Sequence, residues 1–187
     1  MATAIETLQD EHRNMRDLLA VLEREIDAFA AGETPDYDVV SGIAGYFLDY
    51  PDICHHPKEN VVYDRLKERD PSAAALVGDL TREHVEEGAR IRRWAAAIDG
   101  LLQGEEIARD AIVASTRDFI AAERHHMELE EQKWFPAALA ALTPADWVEL
   151  GVRLAWRRDP LVEPEAEDKY ATLRNSLLRW EREAHRS

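Results

Sequence analysis

The sequence predicts an all-α protein: an antiparallel up-down four-helix bundle with a C-terminal helical extension. Three observations carry this expectation. Apolar residues recur every three or four positions through four long segments, the Gly- and Pro-bearing links between segments are short, and no stretch alternates with the period of two that a strand requires. Short links place successive helices beside one another and antiparallel.

The first seam runs Ile5, Leu8, Met15, Leu19, Leu22, Ile26 and Phe29. His12 fills its single gap and is expected to face the core. The Gly and Pro of "AAGETPD" end this helix. The second segment, Tyr37 to Arg69, carries Ala44, Leu48, His55, Glu59, Val62 and Leu66 on one stripe. Pro51 and Pro57 interrupt it: each lacks an N–H and its ring crowds the carbonyl four residues back, which predicts a kink or break near the histidines. In the third segment, Pro71 to Leu102, the stripe is Leu76, Leu80, His84, Ile91, Trp94, Ile98 and Leu102. The fourth, Glu106 to Leu142, carries Ile112, Phe119, Ala122, His126 and Glu130, with Pro136 near its end.

These segments assign residues 1–142 to the bundle and 143–187 to the extension. There the acidic, proline-marked link "RRDPLVEPEAEDKY" leads into a helix expected over Tyr170 to Glu183, with Leu173, Leu177 and Trp180 on one face. That stripe packs on the bundle or against a second subunit, so a homodimer through the extension is one of two placements.

Charge narrows the partners. Lys+Arg 23 against Asp+Glu 38 gives a net charge of −15, which repels nucleic acid and anionic lipid surfaces and leaves small neutral ligands and cations. A solvated helical surface is the ordinary explanation for such acidity. The single cysteine, Cys54, excludes an intramolecular disulfide and fits a reduced cytoplasm. The start "MATAIETLQDEHRNM" has no leader pattern, and no run approaches the roughly 20 apolar residues of a membrane span. The chain therefore reads as soluble, cytoplasmic and unprocessed. No flavin or nicotinamide fingerprint is present, since "GETPDYDVVSG" is sparse in glycine and follows no strand.

Histidines at seam positions of four helices carry the chemistry. One histidine on an apolar face is ordinarily a satisfied core residue; four, two of them followed at i+4 by a glutamate, are not. His55 with Glu59 and His126 with Glu130 each share one helix face, so both side chains reach the same point. A buried carboxylate is costly unless neutralised, and a cation neutralises it while accepting neutral imidazole nitrogen. His12, His55, His84 and His126 with bridging Glu59 and Glu130 suit two metals better than one, each taking about two imidazoles and a share of two carboxylates. Imidazole and carboxylate without thiolate favour non-haem iron, with manganese and zinc as rivals. Cys54 is expected to pack rather than ligate, because adjacent helical residues point about 100° apart. By the same spacing His56, four before Asn60, and His125, four before Leu129, are expected to turn away, His56 onto the helix surface or behind the ligands. Glu11 and Glu83 are expected to face solvent, and Tyr46, Tyr50 and Tyr63 stay unassigned.

In order and spacing, the lone histidine of the first helix, "HHPKE", the lone histidine of the third helix and "HMELE" ahead of "WFP" resemble the hemerythrin-like, HHE cation-binding family over about Thr3 to Leu142. The resemblance implies an up-down four-helix bundle enclosing a di-iron centre, with His12, His55, Glu59, His84, His126 and Glu130 as ligands. Oxygen-carrying members place a second histidine four residues after the one in the third helix, where this chain has Gly88. That departure points away from oxygen carriage and toward members with four histidines and two glutamates. Iron-sulfur cluster repair proteins are similar in ligand count, although they typically add an N-terminal cysteine-bearing domain that these residues do not contain. Gly88 reads either as a close helix approach or as room for solvent or a small molecule beside the metals.

The expected function is thus a di-iron protein that binds oxygen, nitric oxide or a peroxide for sensing, storage or iron handling. Its rivals are a di-iron peroxidase or oxidase, a repair-type protein, and a metal-free helical interaction module.

Overall fold

The computed structural model describes residues 4–154 together with Leu173, and every regular element among them is helical. The helix α1 (Ala4–Ala30) ends at Gly32, whose φ of +89° lets the Glu33 N–H donate back to the Ala28 carbonyl. Only glycine takes that left-handed turn without strain. Asp36 then caps α2 (Tyr37–Tyr50), its carboxylate accepting from the Val39 N–H at 3.2 Å.

After α2 the backbone widens. Pro51–His55 form one π-helical turn closed by the His56 N–H on the Pro51 carbonyl, and α3 (His56–Arg69) follows. A short α4 (Pro71–Val77) and the long α5 (Leu80–Leu102) come next, each capped by an aspartate, Asp70 and Asp79. α6 (Arg109–Leu129) then repeats the motif: Glu130–Trp134 make a π-helical turn closed by the Phe135 N–H on the Glu130 carbonyl, before α7 (Phe135–Ala141). α8 (Pro144–Leu154) is the last described helix. In both wide turns the closing residue precedes a proline, Pro57 or Pro136. The proline ring crowds the carbonyl four residues back, and widening the turn relieves that crowding. The break expected near the histidines is this turn.

Two expected stripes are corrected. The third segment is not one helix, because Gly78 at φ +104° breaks it and Tyr63 donates its hydroxyl to the Gly78 carbonyl. Leu76 consequently lies 88% exposed instead of in the seam. Leu48 is also exposed, since α2 buries Ile43, Ala44, Tyr46, Phe47 and Tyr50.

α1 packs on α2 and α6, and α5 packs on the same two helices. Along α1 and α6 the polar pairs Glu23 to Arg124, Asp27 to Arg117 and the Phe29 carbonyl to Arg109 ascend on one helix and descend on the other, so the two run antiparallel. α8 is tied to α3 by Asp146, which accepts from Arg65 at 2.6 Å and Arg69 at 2.8 Å. The helix expected over Tyr170 to Glu183 lies outside the described residues except for Leu173, which is buried against Gly42 of α2.

The core divides into two apolar clusters. The larger holds Met15 to Phe29 of α1, the inner faces of α2 and α6, and Ile91, Trp94 and Ile98 of α5. The smaller holds Ile5 and Leu8 of α1, Val62 and Leu66 of α3, Leu80, and Trp134, Phe135 and Leu150. Helices pass from one cluster to the other through a polar layer: His12 lies between Leu8 and Met15, His84 between Leu80 and Ile91, and Glu130 between Met127 and Trp134. Apolar packing on both sides excludes water and fixes the depth at which these groups stand.

Candidate metal centre

The polar layer contains two groups of side chains whose donor atoms converge. His12, His55, Glu59 and Glu130 form one; His56, His84, Glu87 and His126 form the other, and within each the atoms lie inside 4.8 Å of one another. All six residues expected from sequence are therefore brought together. His56 and Glu87 join them.

Each histidine aims Nε2 at the layer. The Nε2 atoms of His12 and His55 stand 3.1 Å apart, too close for either to be satisfied by anything bulky between them. Glu59 spans the groups, with Oε1 at 3.2 Å from His55 Nε2 and Oε2 at 3.2 Å from His84 Nε2. Glu130 spans them from the opposite side, Oε2 at 3.3 Å from His12 Nε2 and Oε1 at 3.3 Å from His126 Nε2. Glu87 belongs to the second group alone, Oε2 being 2.8 Å from His126 and 3.3 Å from His56.

Behind the imidazoles stand carboxylates. The Nδ1 of His55 meets Glu11 at 2.8 Å, that of His12 meets Glu131 at 3.0 Å, and that of His56 meets Asp52 at 3.3 Å. An Nδ1–H held this way fixes the tautomer and leaves the Nε2 lone pair facing the layer, the arrangement that orients metal-bound histidine. Two of these carboxylates are held in turn, Glu131 by Arg16 at 2.9 Å and Glu11 by the buried ammonium of Lys58. The Phe135 ring stacks on His12 at 5.4 Å and closes that side.

Two expectations are corrected here. Glu11 does not face solvent: it is buried, three residues after Leu8 and four before Met15 on the inward stripe. His56 is not on the helix surface either, being 4% exposed and stacked on His84 at 4.1 Å. Glu83 is exposed as expected, and Cys54 is half-buried against the larger apolar cluster. Sequence reasoning tested only i+4 partners. His56 has Glu59 at i+3 and His84 has Glu87 at i+3, a spacing that shares a helix face equally well.

The electrostatics describe a site built for positive charge. Burial works against ionisation of Glu59 and Glu87, yet the surrounding imidazoles hold both carboxyls well below the usual range. Burial likewise opposes protonation of His12, but Glu130, Glu131 and Glu59 raise it well above the ordinary imidazole value. His126 is pushed up to about 9 by Glu130 and Glu87 despite its burial. Glu123, buried next to Glu87, is pushed well above the carboxylate range first by burial and then by the Glu87 charge, so it stays protonated.

Satisfaction of these groups tests whether they suit a cation. Both oxygens of Glu59, Oε2 of Glu87 and of Glu130, and Nε2 of His126 are buried without a hydrogen bond of good geometry. Several unsatisfied acceptors in one layer cost about 1–3 kcal/mol each, and a cation is the partner that satisfies carboxylate and imidazole together. The donor set of five imidazoles and three carboxylates, without thiolate, fits first-row divalent ions.

No helix among the described residues is long and apolar enough to cross a membrane. No curated protein and no solved structure matches the chain. The sequence model of the hemerythrin HHE cation binding domain does match, over residues 3–138, which carry every residue of both groups, and the chain belongs to that family.

Proposed function

We propose that this protein is a non-haem di-iron protein that binds a small diatomic molecule or peroxide, serving in sensing, storage or iron handling. The observation that carries the reading is the double span of Glu59 and Glu130, because carboxylates that face two imidazole groups at once suit a metal pair. His12 and His55 would hold one ion and His56, His84, Glu87 and His126 the other, with Glu59 and Glu130 shared. Iron in this environment supplies reversible one-electron chemistry and open positions for a ligand. The chain's own residues do the rest: Glu11, Glu131 and Asp52 hold Nδ1 protons so that Nε2 is the donor, and the two apolar clusters close the layer above and below.

The reading also takes α1, α2 with α3, α5 and α6 with α7 as the four members of an up-down bundle, supported by the antiparallel pairs of α1 and α6. A reduced cytoplasmic setting accords with Cys54 being the single cysteine of the sequence. A metal-free interaction module would leave the buried acceptors of Glu59, Glu87 and Glu130 facing imidazoles without a hydrogen bond of good geometry, which argues against it.

The test is iron content and a Mössbauer spectrum of freshly purified protein. Two irons per chain as a coupled pair are expected. A colourless protein that iron, manganese and zinc all fail to load would refute the reading.

A further inference from the structure

The two halves of the layer differ in access. The first group is closed, His12 and Glu59 having no exposed surface. The second opens onto a cavity of about 250 Å³ between α3 and α5, whose walls include His56 and His84 but no residue of the first group. Its rim carries Asp52 and Arg92, a surface pair at 3.4 Å that are 44% and 58% exposed. A water occupies about 30 Å³ of liquid, so the cavity holds far more than one diatomic molecule requires.

Gly88 lines the cavity beside this pair. A Cβ there would stand 3.2 Å from Arg92 Nη1 and 3.3 Å from Asp52 Oδ2, so glycine lets this pair fold across the mouth, and a longer side chain would occupy the cavity. Arg92 meets Asp52 through a single long contact, while Asp52 also faces Nδ1 of His56, so the guanidinium keeps donors to offer a ligand at the mouth. Arg92 thus puts a positive charge at the mouth of the site, in a chain that is otherwise strongly acidic.

Resting on the metal-pair reading, we infer that small monovalent oxygen or nitrogen anions reach the site through this chamber, on the side of the second group, with Gly88 leaving it room and Arg92 drawing the anion in. Thr81 and Val85 line it from the same helix as Gly88 and Arg92, α5, so the passage can be narrowed at two levels along that helix without replacing a ligand residue. Val85 is largely exposed, and a larger side chain there meets solvent before it meets the core.

The experiment uses the full iron-loaded chain with azide as the probe, followed by stopped-flow absorption, and the metal-free chain with diethyl pyrocarbonate, followed by peptide mapping. Gly88→Leu and Val85→Phe are each expected to keep their iron and to slow azide association by about tenfold, a barrier increase of ~1.4 kcal/mol. Arg92→Gln is expected to slow association and flatten its salt dependence while leaving dissociation unchanged. In the metal-free chain, His56 and His84 are expected to be acylated before His12 and His55, an order that Gly88→Leu abolishes. Unchanged azide rates in both narrowed variants, or acylation of His12 first, would overturn the inference with the metal reading intact. A wild-type chain that takes up no metal would overturn the metal reading, and the inference with it.

Discussion

Glu11 holds Nδ1 of His55 at 2.8 Å from a position that is itself buried, and its other oxygen accepts from the ammonium of Lys58. One carboxylate thus orients a candidate ligand and neutralises a buried cation. Glu11→Ala should weaken metal binding by about 10–100-fold, the usual effect of removing such a backing group. The same change strands Lys58, 2% exposed, and should cost about 3–5 kcal/mol in urea unfolding of the metal-free protein. Lys58→Met in the Glu11→Ala background should recover much of that stability and none of the affinity. Recovery of both would show that Glu11 acts through packing alone.

Glu59 faces His55 with one oxygen and His84 with the other, whereas His12 serves one group. Glu59→Ala should therefore deplete both ions, and His12→Ala should retain about half of the wild-type metal. His56→Ala should also lose metal, which distinguishes a ligand role from a surface position. Metal per chain by elemental analysis decides each case. Equal losses in Glu59→Ala and His12→Ala would mean that the two ions bind as one unit.

The pH dependence follows from the imidazoles. In the metal-free protein His12, His56 and His84 are raised and His126 is raised to about 9, in each case by carboxylates that outweigh burial. Their pairing stabilises the metal-free fold fully below the ordinary imidazole value and is lost as pH rises through the raised values. Metal binding must displace those protons, so apparent affinity should climb with pH by about one decade per unit for each proton released, up to pH ~9. Calorimetry in buffers of different ionisation enthalpy should register proton release at pH 7. The gap in melting temperature between loaded and metal-free protein should widen from pH 6 to 9. A pH-independent affinity would mean that the imidazoles are already neutral.

Much of this site was legible in the sequence because helical spacing is local. His12 filling a gap in an apolar stripe, and His55 with Glu59 at i+4, require no knowledge of the neighbouring helices. What escaped depended on those neighbours. α3 buries His56, Lys58, Glu59, Val62, Tyr63 and Leu66 together, a face wider than one stripe because other helices pack along it. On so wide a face an i+3 partner counts as much as an i+4 partner, and His56 and Glu87 are both i+3 partners. Glu11 was missed for a related reason: a charged residue beside a ligand looks solvated until the Lys58 that neutralises it, on another helix, is brought against it. The break at Gly78 was legible in principle, since Gly followed by Asp is a helix stop and then a cap.

The prolines make a last case, because they act on the backbone and not on the ligands. Pro57 and Pro136 each follow the residue that closes a π-helical turn, and each turn contains a candidate ligand, His55 or Glu130. Pro57→Ala removes the ring that crowds the Ile53 carbonyl and restores an N–H that can bond it, so the turn can tighten toward an α-helix. Helix propensity alone would make the metal-free protein more stable. Tightening the turn, however, rotates α2 relative to α3 and withdraws Pro51 and Asp52 from their places, so His56 loses the Asp52 contact on its Nδ1. The expected outcome is a metal-free melting temperature equal to or above wild type, together with metal affinity lowered by about tenfold or more. Measuring both separates the two effects: a variant that loses stability and keeps affinity would show that the wide turn is intrinsic to the helix contacts, with the proline merely accommodated by it.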